Sequence, residues 1–289
     1  MPRQIAFQGA PGAYSEEAIR RGFETAEPRP YPAFEDVFSA VEEGEVDQGL
    51  IPIENAVFGS VRVNYDHLRT HAVTIVGELN LRIQHHLMAP AGATIAALQT
   101  VRSHAQALGQ CRTWLQSHVP EATVSPAPDT AGAARAVAEA GDPTVAAVAS
   151  RRAAERYGLT VLAAGLEDNP ENFTRFLVLA PEGQGPADTA SAPQKTSVAF
   201  VLQDNVPGAL FKSLAVFALR ELDLLKIESR PLVGHPGRYR FFLDVDGRAE
   251  DEAVARALDH LREITRGLQV LGSYPHGPTY GEATGTGSE

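Results

Sequence analysis

The chain has 289 residues, with 36 acidic and 25 basic side chains and a net charge of −11 at pH 7. This length supports two domains and a substantial core. The negative charge argues against nucleic acid or an anionic membrane as the main partner, and no apolar stretch approaches the ~20 residues of a membrane-spanning helix. The start of the chain shows no secretory leader, and the single Cys111 cannot form an internal disulfide, so we expect a cytoplasmic protein.

The first part of the chain, residues 1–182, alternates short apolar runs with helical patterns. Strand-like runs occur at 5–7 and 48–53. Helical patterns cover 15–23, 34–43, 129–140 and 150–157. Such alternation predicts an α/β domain with mostly parallel strands.

A change of composition at residues 183–196 divides the chain. This segment lacks large apolar side chains, which predicts an interdomain linker. Residues 197–276 then show the order strand, helix, strand, strand, helix, strand, which is the ferredoxin-like βαββαβ arrangement. Its antiparallel edges favour pairing with a second copy, so we expect a homo-oligomer, dimer or tetramer. The Gly- and Thr-rich tail, 277–289, is predicted to be disordered.

Short motifs follow one another along nearly the whole chain. In the first part they are FQGAPGAYS at 7–15, IPIEN at 51–55, SHAQALGQC at 103–111, DTA at 129–131 and NFTRF at 172–176. In the last part they are NVPGAL at 205–210 and ESRP at 228–231. In this order they resemble the prephenate dehydratase family, and the last two resemble the signatures of an ACT regulatory domain.

The resemblance implies a fold and a function. The catalytic domain would have two lobes like those of type II periplasmic binding proteins, with the second lobe at about 80–165 and crossovers near 79–86 and 166–175. The reaction would convert prephenate to phenylpyruvate with loss of water and carbon dioxide, in phenylalanine biosynthesis. L-phenylalanine would act as a feedback inhibitor at an ACT domain covering 197–276. This chemistry requires no metal and no organic cofactor.

The predicted catalytic residues are Thr174, Glu54, Asn55, Ser103, Gln110 and His104. Hydroxide is a poor leaving group, so we expect Thr174 to act as a positioned donor to the departing oxygen. Glu54 would be an acid of raised pKa or an orienter of Thr174, and Asn55 would bind a substrate oxygen. Ser103 is expected to cap a helix that lines the cleft, and His104 is either a proton donor or structural.

The predicted substrate-binding residues are Gly12, Tyr14, Ser15, Gln106, Thr130 and Arg175. The first three form a turn into a helix, whose N–H groups suit a carboxylate. Thr130 would add a second such site or serve as a plain N-cap. Arg175 would clamp a carboxylate or be structural; because strand neighbours point to opposite faces, Thr174 and Arg175 should not both face the ligand.

The ACT resemblance assigns the effector-binding residues, which are Asn205, Pro207, Gly208, Ala209, Leu210, Glu228, Ser229, Arg230 and Pro231. The histidines at 67 and 71 lack a third ligand, and those at 85 and 86 would point to opposite faces of a strand, so neither pair predicts a metal site. Cys111 is expected to be buried rather than nucleophilic. The alternatives to a prephenate dehydratase are an arogenate dehydratase, a non-catalytic amino-acid sensor and a periplasmic solute-binding protein.

Overall fold

The computed structural model describes residues 2–185, 194–203, 206–232 and 234–281. The chain forms two compact units. The first unit comprises Met1–Asn64, Leu79–Phe176 and Pro278–Glu289, and the second comprises Tyr65–Glu78 and Leu177–Gly277. No helix in the described ranges is long and apolar enough to cross a membrane.

Strands and helices both occur throughout the described ranges. The strands, in chain order, are β1 (Arg3–Gln8), β2 (Ala26–Tyr31), β3 (Gln48–Asn55), β4 (Gly59–Ser60), β5 (Val73–Arg82), β6 (His86–Ala89), β7 (Thr100–His104), β8 (Thr123–Ala127), β9 (Val145–Ala149), β10 (Thr160–Ala164), β11 (Phe173–Pro181), β12 (Gln194–Leu202), β13 (Leu224–Pro231), β14 (Tyr239–Asp246), β15 (Thr265–Pro275) and β16 (Thr279–Tyr280). The helices are α1 (Tyr14–Gly22), α2 (Phe34–Glu42), α3 (Arg62–Thr70), α4 (Ala105–Gln110), α5 (Arg112–His118), α6 (Thr130–Ala140), α7 (Arg151–Tyr157), α8 (Ala209–Ala218) and α9 (Glu252–Ile264).

The first lobe of the first unit is built on a sheet with the order β16-β5-β11-β3-β1-β2, and β4 pairs with β3. Strand β1 is parallel to both of its neighbours. Its Ile5 and Phe7 are buried, as are Leu50 and Ile51 of β3. Near-continuous apolar strands of this kind are typical of parallel sheets covered on both faces.

The second lobe has its own sheet, with the order β10-β6-β9-β7-β8. Strand β7 is parallel to β8 and β9, while β6 and β10 run antiparallel to their partners. The chain enters this lobe between β5 and β6 and leaves it between β10 and β11. These connections lie near the two predicted crossovers, at 79–86 and 166–175.

The second unit contains a sheet with the order β13-β14-β12-β15, in which all paired neighbours are antiparallel. Helices α8 and α9 complete the predicted βαββαβ order, and Phe200, Phe217 and Leu261 lie in the shared core. Residues 65–78 also belong to this unit. A Cβ on Gly272 would lie 2.1 Å from the carbonyl oxygen of Ile75, so a glycine is required for this close approach of backbones.

Two expectations at the segment ends need correction. Strand β12 begins at Gln194, inside the predicted linker, because Gln194–Thr196 pair with β15. Thr279 and Tyr280 form β16, which pairs in parallel with Asn80 and Leu81 of β5. The prediction of a disordered tail is therefore wrong for these two residues. Residues 186–193 and 282–289 lie outside the described residues.

Candidate active site

A cavity of about 560 Å³ in the first unit is lined by residues of both lobes. The first lobe contributes Asn55, the last residue of β3, and Thr174 near the start of β11. Helices α1 and α6 begin at the cavity, at Tyr14 and Thr130. In α/β folds, ligand-binding groups lie at the carboxyl ends of parallel strands and at the N-termini of helices.

The amide of Asn55 has a fixed orientation in the cavity wall. Its Oδ1 accepts hydrogen bonds from the backbone N–H groups of Val57 and Phe58, both at 3.0 Å. Its Nδ2 therefore donates, to Asn172 Oδ1 at 2.9 Å and to Thr174 Oγ1 at 3.0 Å. Because the Thr174 oxygen accepts from Asn55, the hydroxyl proton of Thr174 is left to be donated elsewhere.

The same directional logic extends to Gln110. Asn172 Nδ2 donates to Gln110 Oε1 at 3.1 Å, and His85 Nε2 lies 2.5 Å from the same oxygen. An amide oxygen is an acceptor, so His85 must carry its proton on Nε2. Both acceptor sites of Gln110 Oε1 are then used, and the side chain has its two N–H bonds to offer to the cavity it lines.

His85 in turn is fixed by Tyr14. The Tyr14 hydroxyl lies 2.7 Å from His85 Nδ1 and 3.1 Å from the carbonyl oxygen of Gln84. Because the proton of the ring is on Nε2, Nδ1 is an acceptor, and it receives the shorter of the two hydrogen bonds. Burial lowers the pKa of His85 below its ordinary value, which favours this neutral ring, and burial raises the pKa of Tyr14 well above 10.0. We call Tyr14, His85, Gln110, Asn172, Asn55 and Thr174 the cavity network. It is uncharged and ends in two donors, Thr174 and Gln110.

The structure brings together eight of the twelve predicted catalytic and substrate-binding residues. The cavity lining includes Thr174, Asn55, Gln110, His104, Tyr14, Ser15, Gln106 and Thr130. It does not include Glu54, Ser103, Gly12 and Arg175. Thr174 lines the cavity and the next residue does not, as strand alternation predicts. Glu54 lies on β3 opposite Ser60 of β4.

The prediction that Ser103 caps a helix is wrong. Ser103 lies in β7, is fully buried, and its hydroxyl donates to the carbonyl of Val148 at 2.5 Å. The N-cap of α4 is His104, whose Nδ1 accepts from the N–H of Gln106 at 3.3 Å. The N-cap of α6 is likewise Asp129, so Thr130 is the first residue inside that helix.

Gly12 serves packing between the lobes of the first unit. At φ +94°, its Cβ position would lie 2.9 Å from Ala153 Cα of α7, and its carbonyl accepts from the Ser150 hydroxyl at 2.6 Å. Its N–H donates to Glu16 at 2.6 Å. Burial alone would raise the pKa of Glu16, but the N–H of Gly12 and the guanidinium of Arg20 lower it. Gly12 therefore holds the turn before α1 against α7.

Three residues of the site were not predicted from the sequence. His85 was considered only as half of a metal pair, yet it lies in the cavity wall. Asn172 is the first residue of the NFTRF motif, and this position was the available signal. Asp129 opens the DTA motif and lines the cavity.

A second cavity, of about 400 Å³, lies in the second unit. Its lining includes the predicted effector residues Gly208, Ala209 and Leu210, together with Arg238 and Tyr239. Pro207 and the predicted residues of β13, Glu228, Ser229, Arg230 and Pro231, do not line it. Arg230 pairs with Asp66 of α3, with Nη2 and Oδ2 2.7 Å apart. Asn205 lies outside the described residues.

The fold and the site together define a two-lobed α/β enzyme whose cavity presents neutral hydrogen-bond donors. The family model for prephenate dehydratase matches residues 5–184. This chain belongs to the prephenate dehydratase family and is a lyase of that family.

Individual relatives and solved structures are similar to this chain over most of its length. The chain is 44% identical over 283 residues to a chloroplastic arogenate dehydratase/prephenate dehydratase 2 of Arabidopsis thaliana, covering 94% of this chain and 72% of the relative. A prephenate dehydratase from Arthrobacter aurescens, solved in complex with L-Phe, superimposes with a TM-score of 0.86 at 34% identity, covering 94% of this chain and 90% of that one. GqqA, described as a novel type of quorum quenching acylase, gives 0.87 at 33% identity, covering 95% and 98%.

Proposed function

We propose that this chain is a prephenate dehydratase of phenylalanine biosynthesis, with arogenate as the alternative substrate. The observation that carries the proposal is the orientation of Thr174. Its oxygen accepts from Asn55, so its proton is available to a departing hydroxyl group. A threonine is too weak an acid to ionise, so it acts as a preorganised hydrogen-bond donor to the leaving oxygen.

The other groups of the cavity fit the remaining demands of the reaction. Gln110 offers a second donor, because both acceptor sites of its oxygen are used by His85 and Asn172. The substrate carboxylates would be held by the hydroxyls of Ser15, Ser60 and Thr130, which line the cavity. The carboxylate that is lost as carbon dioxide benefits from a weakly solvated setting, and apolar Phe34, Phe58, Ile83 and Phe176 also line the cavity.

The likeness to an acylase raises a second enzyme class, and the geometry speaks against it for this cavity. Acyl transfer needs a nucleophile whose proton is taken by an adjacent base. In the described part of the chain, the Thr174 hydroxyl instead accepts a hydrogen bond from the Asn55 amide, which is a donor and not a base. A hydroxyl held in this way is a donor to ligand rather than an activated nucleophile.

We also propose that L-phenylalanine inhibits the enzyme at the second unit, acting as an ACT domain in a homo-oligomer. The proposal is supported by the βαββαβ order, by the cavity beside Gly208, Ala209 and Leu210, and by the L-Phe complex of the Arthrobacter relative. Feedback requires phenylalanine to couple the two sites by about 1–3 kcal/mol. A cytoplasmic location remains our prediction, supported by the single buried cysteine.

The test is turnover of prephenate by the purified protein, followed through the absorbance of phenylpyruvate in alkali, with and without L-phenylalanine. We expect turnover that phenylalanine suppresses. Turnover that phenylalanine does not affect would overturn the regulatory half and leave an oligomerisation module. The absence of turnover with both prephenate and arogenate would overturn the enzyme proposal and favour a non-catalytic sensor.

A further inference from the structure

The charge distribution in the cavity contrasts with what a substrate with two carboxylates demands. Among the described residues, the cavity lining contains no lysine or arginine and a single carboxylate, that of Asp129. A carboxylate facing a second anion in a partly buried cavity repels it. The carboxylate of Asp129 therefore favours a substrate that carries a positive group over one that carries only negative groups.

The Asp129 carboxylate is held in place by its own helix. As the N-cap of α6, its Oδ1 accepts from the N–H of Gly132 at 2.6 Å. Within the described part of the chain it has no ion pair. A Cβ on Gly132 would lie 2.7 Å from Oδ2, so the glycine provides the room that this orientation of the carboxylate needs. The carboxylate is thus fixed at the cavity with its charge uncompensated by a neighbouring cation.

We propose that Asp129 is a specificity-determining residue that binds an ammonium group of the substrate. This inference rests on the proposed dehydratase function and deepens it. Prephenate carries a keto group where arogenate carries an ammonium group next to a carboxylate. An ammonium group would form a charge-assisted hydrogen bond with Asp129, whereas the keto form would have only repulsion from it. The chain therefore accepts arogenate, and Asp129 raises the preference for arogenate over prephenate.

The experiment compares kcat/KM for arogenate and prephenate in the parent protein and in Asp129→Asn. Asparagine is as good an N-cap as aspartate, so this variant removes the charge and keeps the cap. We expect the arogenate-to-prephenate ratio to fall about 10- to 100-fold, the range for loss of one hydrogen bond to a charged group. We also expect kcat/KM for prephenate to rise, because the repulsion is gone.

Two further variants separate specificity from stability. Gly132→Ala keeps the carboxylate but forces it to move, because the new Cβ would overlap Oδ2; the ratio should fall in the same direction. Asp251→Asn is the control for removing an aspartate charge before another helix. Asp251 precedes α9 in the second unit, its Oδ2 accepts from the N–H of Arg248 at 2.7 Å, and it does not line the cavity. It should leave the ratio unchanged.

Each outcome decides the question. A ratio that is unchanged in Asp129→Asn, with both substrates slowed equally, would mean that Asp129 is only a helix cap and would overturn the inference. Parent protein that uses prephenate but not arogenate would also overturn it while leaving the dehydratase function intact. Failure with both substrates would instead overturn the proposed function on which the inference rests.

Discussion

Two groups of hydrogen-bonded polar side chains in this chain have opposite character. The cavity network in the first unit is made of amides, hydroxyls and an imidazole. The second unit contains what we call the sheet network, in which Lys195 pairs with Glu78 at 2.7 Å and Ser197 contacts Asp244 Oδ1 at 2.6 Å and the Tyr274 hydroxyl at 2.7 Å. The sheet network is buried throughout, whereas the cavity network is buried at His85, Asn172 and Thr174 and half-buried at its other members.

The two groups differ in the hydrogen-bond donors that remain unused. The sheet network pairs a positive with a negative charge, and its residues line neither the 560 Å³ cavity of the first unit nor the 400 Å³ cavity of the second. The cavity network carries no charge, and its fixed hydrogen-bond directions leave the Thr174 hydroxyl proton and the Gln110 N–H groups facing a cavity. Burial of polar groups therefore does not by itself indicate a site. Unused donor capacity beside a cavity does.

Lys195→Met tests the sheet network and should give the largest effect on folding. It removes the ammonium group that pairs with the buried Glu78 carboxylate, and both side chains of the pair are at most 9% exposed. Removing one member of a buried pair typically costs about 3–5 kcal/mol. We expect a loss of that size in urea unfolding, with unchanged kcat for the folded enzyme. The double variant with Glu78→Leu should recover much of the loss, because two apolar side chains replace the pair. A loss of unfolding free energy below about 1 kcal/mol in Lys195→Met would contradict a structural role for the Lys195–Glu78 pair.

Thr174→Ala tests the cavity network and should act on rate rather than on folding. Loss of one preorganised donor lowers kcat about 10²- to 10³-fold, or about 2.7–4 kcal/mol of barrier. Thr174→Ser keeps the hydroxyl and is the control, which should retain most of the activity. Steady-state kinetics with denaturation of the same samples checks both. Equal losses for alanine and serine would show that the methyl group matters and the hydroxyl does not.

Elements with a local sequence pattern were predicted from the sequence, whereas an element that forms through contacts with distant residues was not. Helices such as α1 and α6 were predicted because their apolar spacing is local, and β12 was predicted from alternation. Strand β16 was not predicted, because two residues become a strand only through pairing with Asn80 and Leu81. Within NFTRF, Thr174 was recognised by resemblance to a motif rather than by any local physical signal.

The hydrogen-bond directions of the site could not be read from the sequence. Asn55 and Asn172 are 117 positions apart, and Gln110 and Asn172 are 62 apart. A pattern of residues gives no information on which amide group faces which partner. Ser103 shows the same limit. A serine before a helical pattern resembles an N-cap, but Ser103 belongs to strand β7 and the N-cap is the next residue, His104.

The pH dependence of folding stability gives a further test, at His86, which follows His85 in the chain. His86 is buried outside the cavity network, and its Nδ1 has no hydrogen-bond partner in the described residues. Burial first, and then the charge of Arg151, lower its pKa to about 4. As the pH falls below about 6.5, His86 becomes protonated in the unfolded chain but stays neutral in the folded chain until about pH 4. This contribution to stability is therefore complete above about pH 6.5 and is lost as the pH falls toward about 4, by up to about 1.4 kcal/mol per pH unit.

The measurement is the unfolding free energy at several pH values between about 4.5 and 8, in the parent protein and in His86→Leu. At about pH 5 we expect the parent to have lost about 2 kcal/mol through His86. The variant should have a flatter profile, with the remaining slope due to His85, whose pKa is lowered in the same direction. Parallel profiles for the two proteins would mean that His86 does not titrate in this range.

Tyr14→Phe should have the smallest effect, and it tests whether Tyr14 is a positioning residue for the cavity network. The Tyr14 hydroxyl donates to His85 Nδ1 and so holds the proton of the ring on Nε2, facing Gln110. Without it, the ring can carry its proton on Nδ1 and present a bare nitrogen to the Gln110 oxygen. One hydrogen bond is worth about 0.5–1.5 kcal/mol, so kcat/KM should fall roughly 2- to 10-fold.

Tyr157→Phe is the matched control, because its hydroxyl donates to the Pro11 carbonyl at 2.6 Å in the same unit but outside the network. Both variants should lose similar stability, while the activity loss and a change in the imidazole ¹⁵N spectrum should be confined to Tyr14→Phe. Equal activities for the two variants would reduce Tyr14 to a packing residue, and the direction of the hydrogen bonds at Gln110 would then have to be maintained by Asn172.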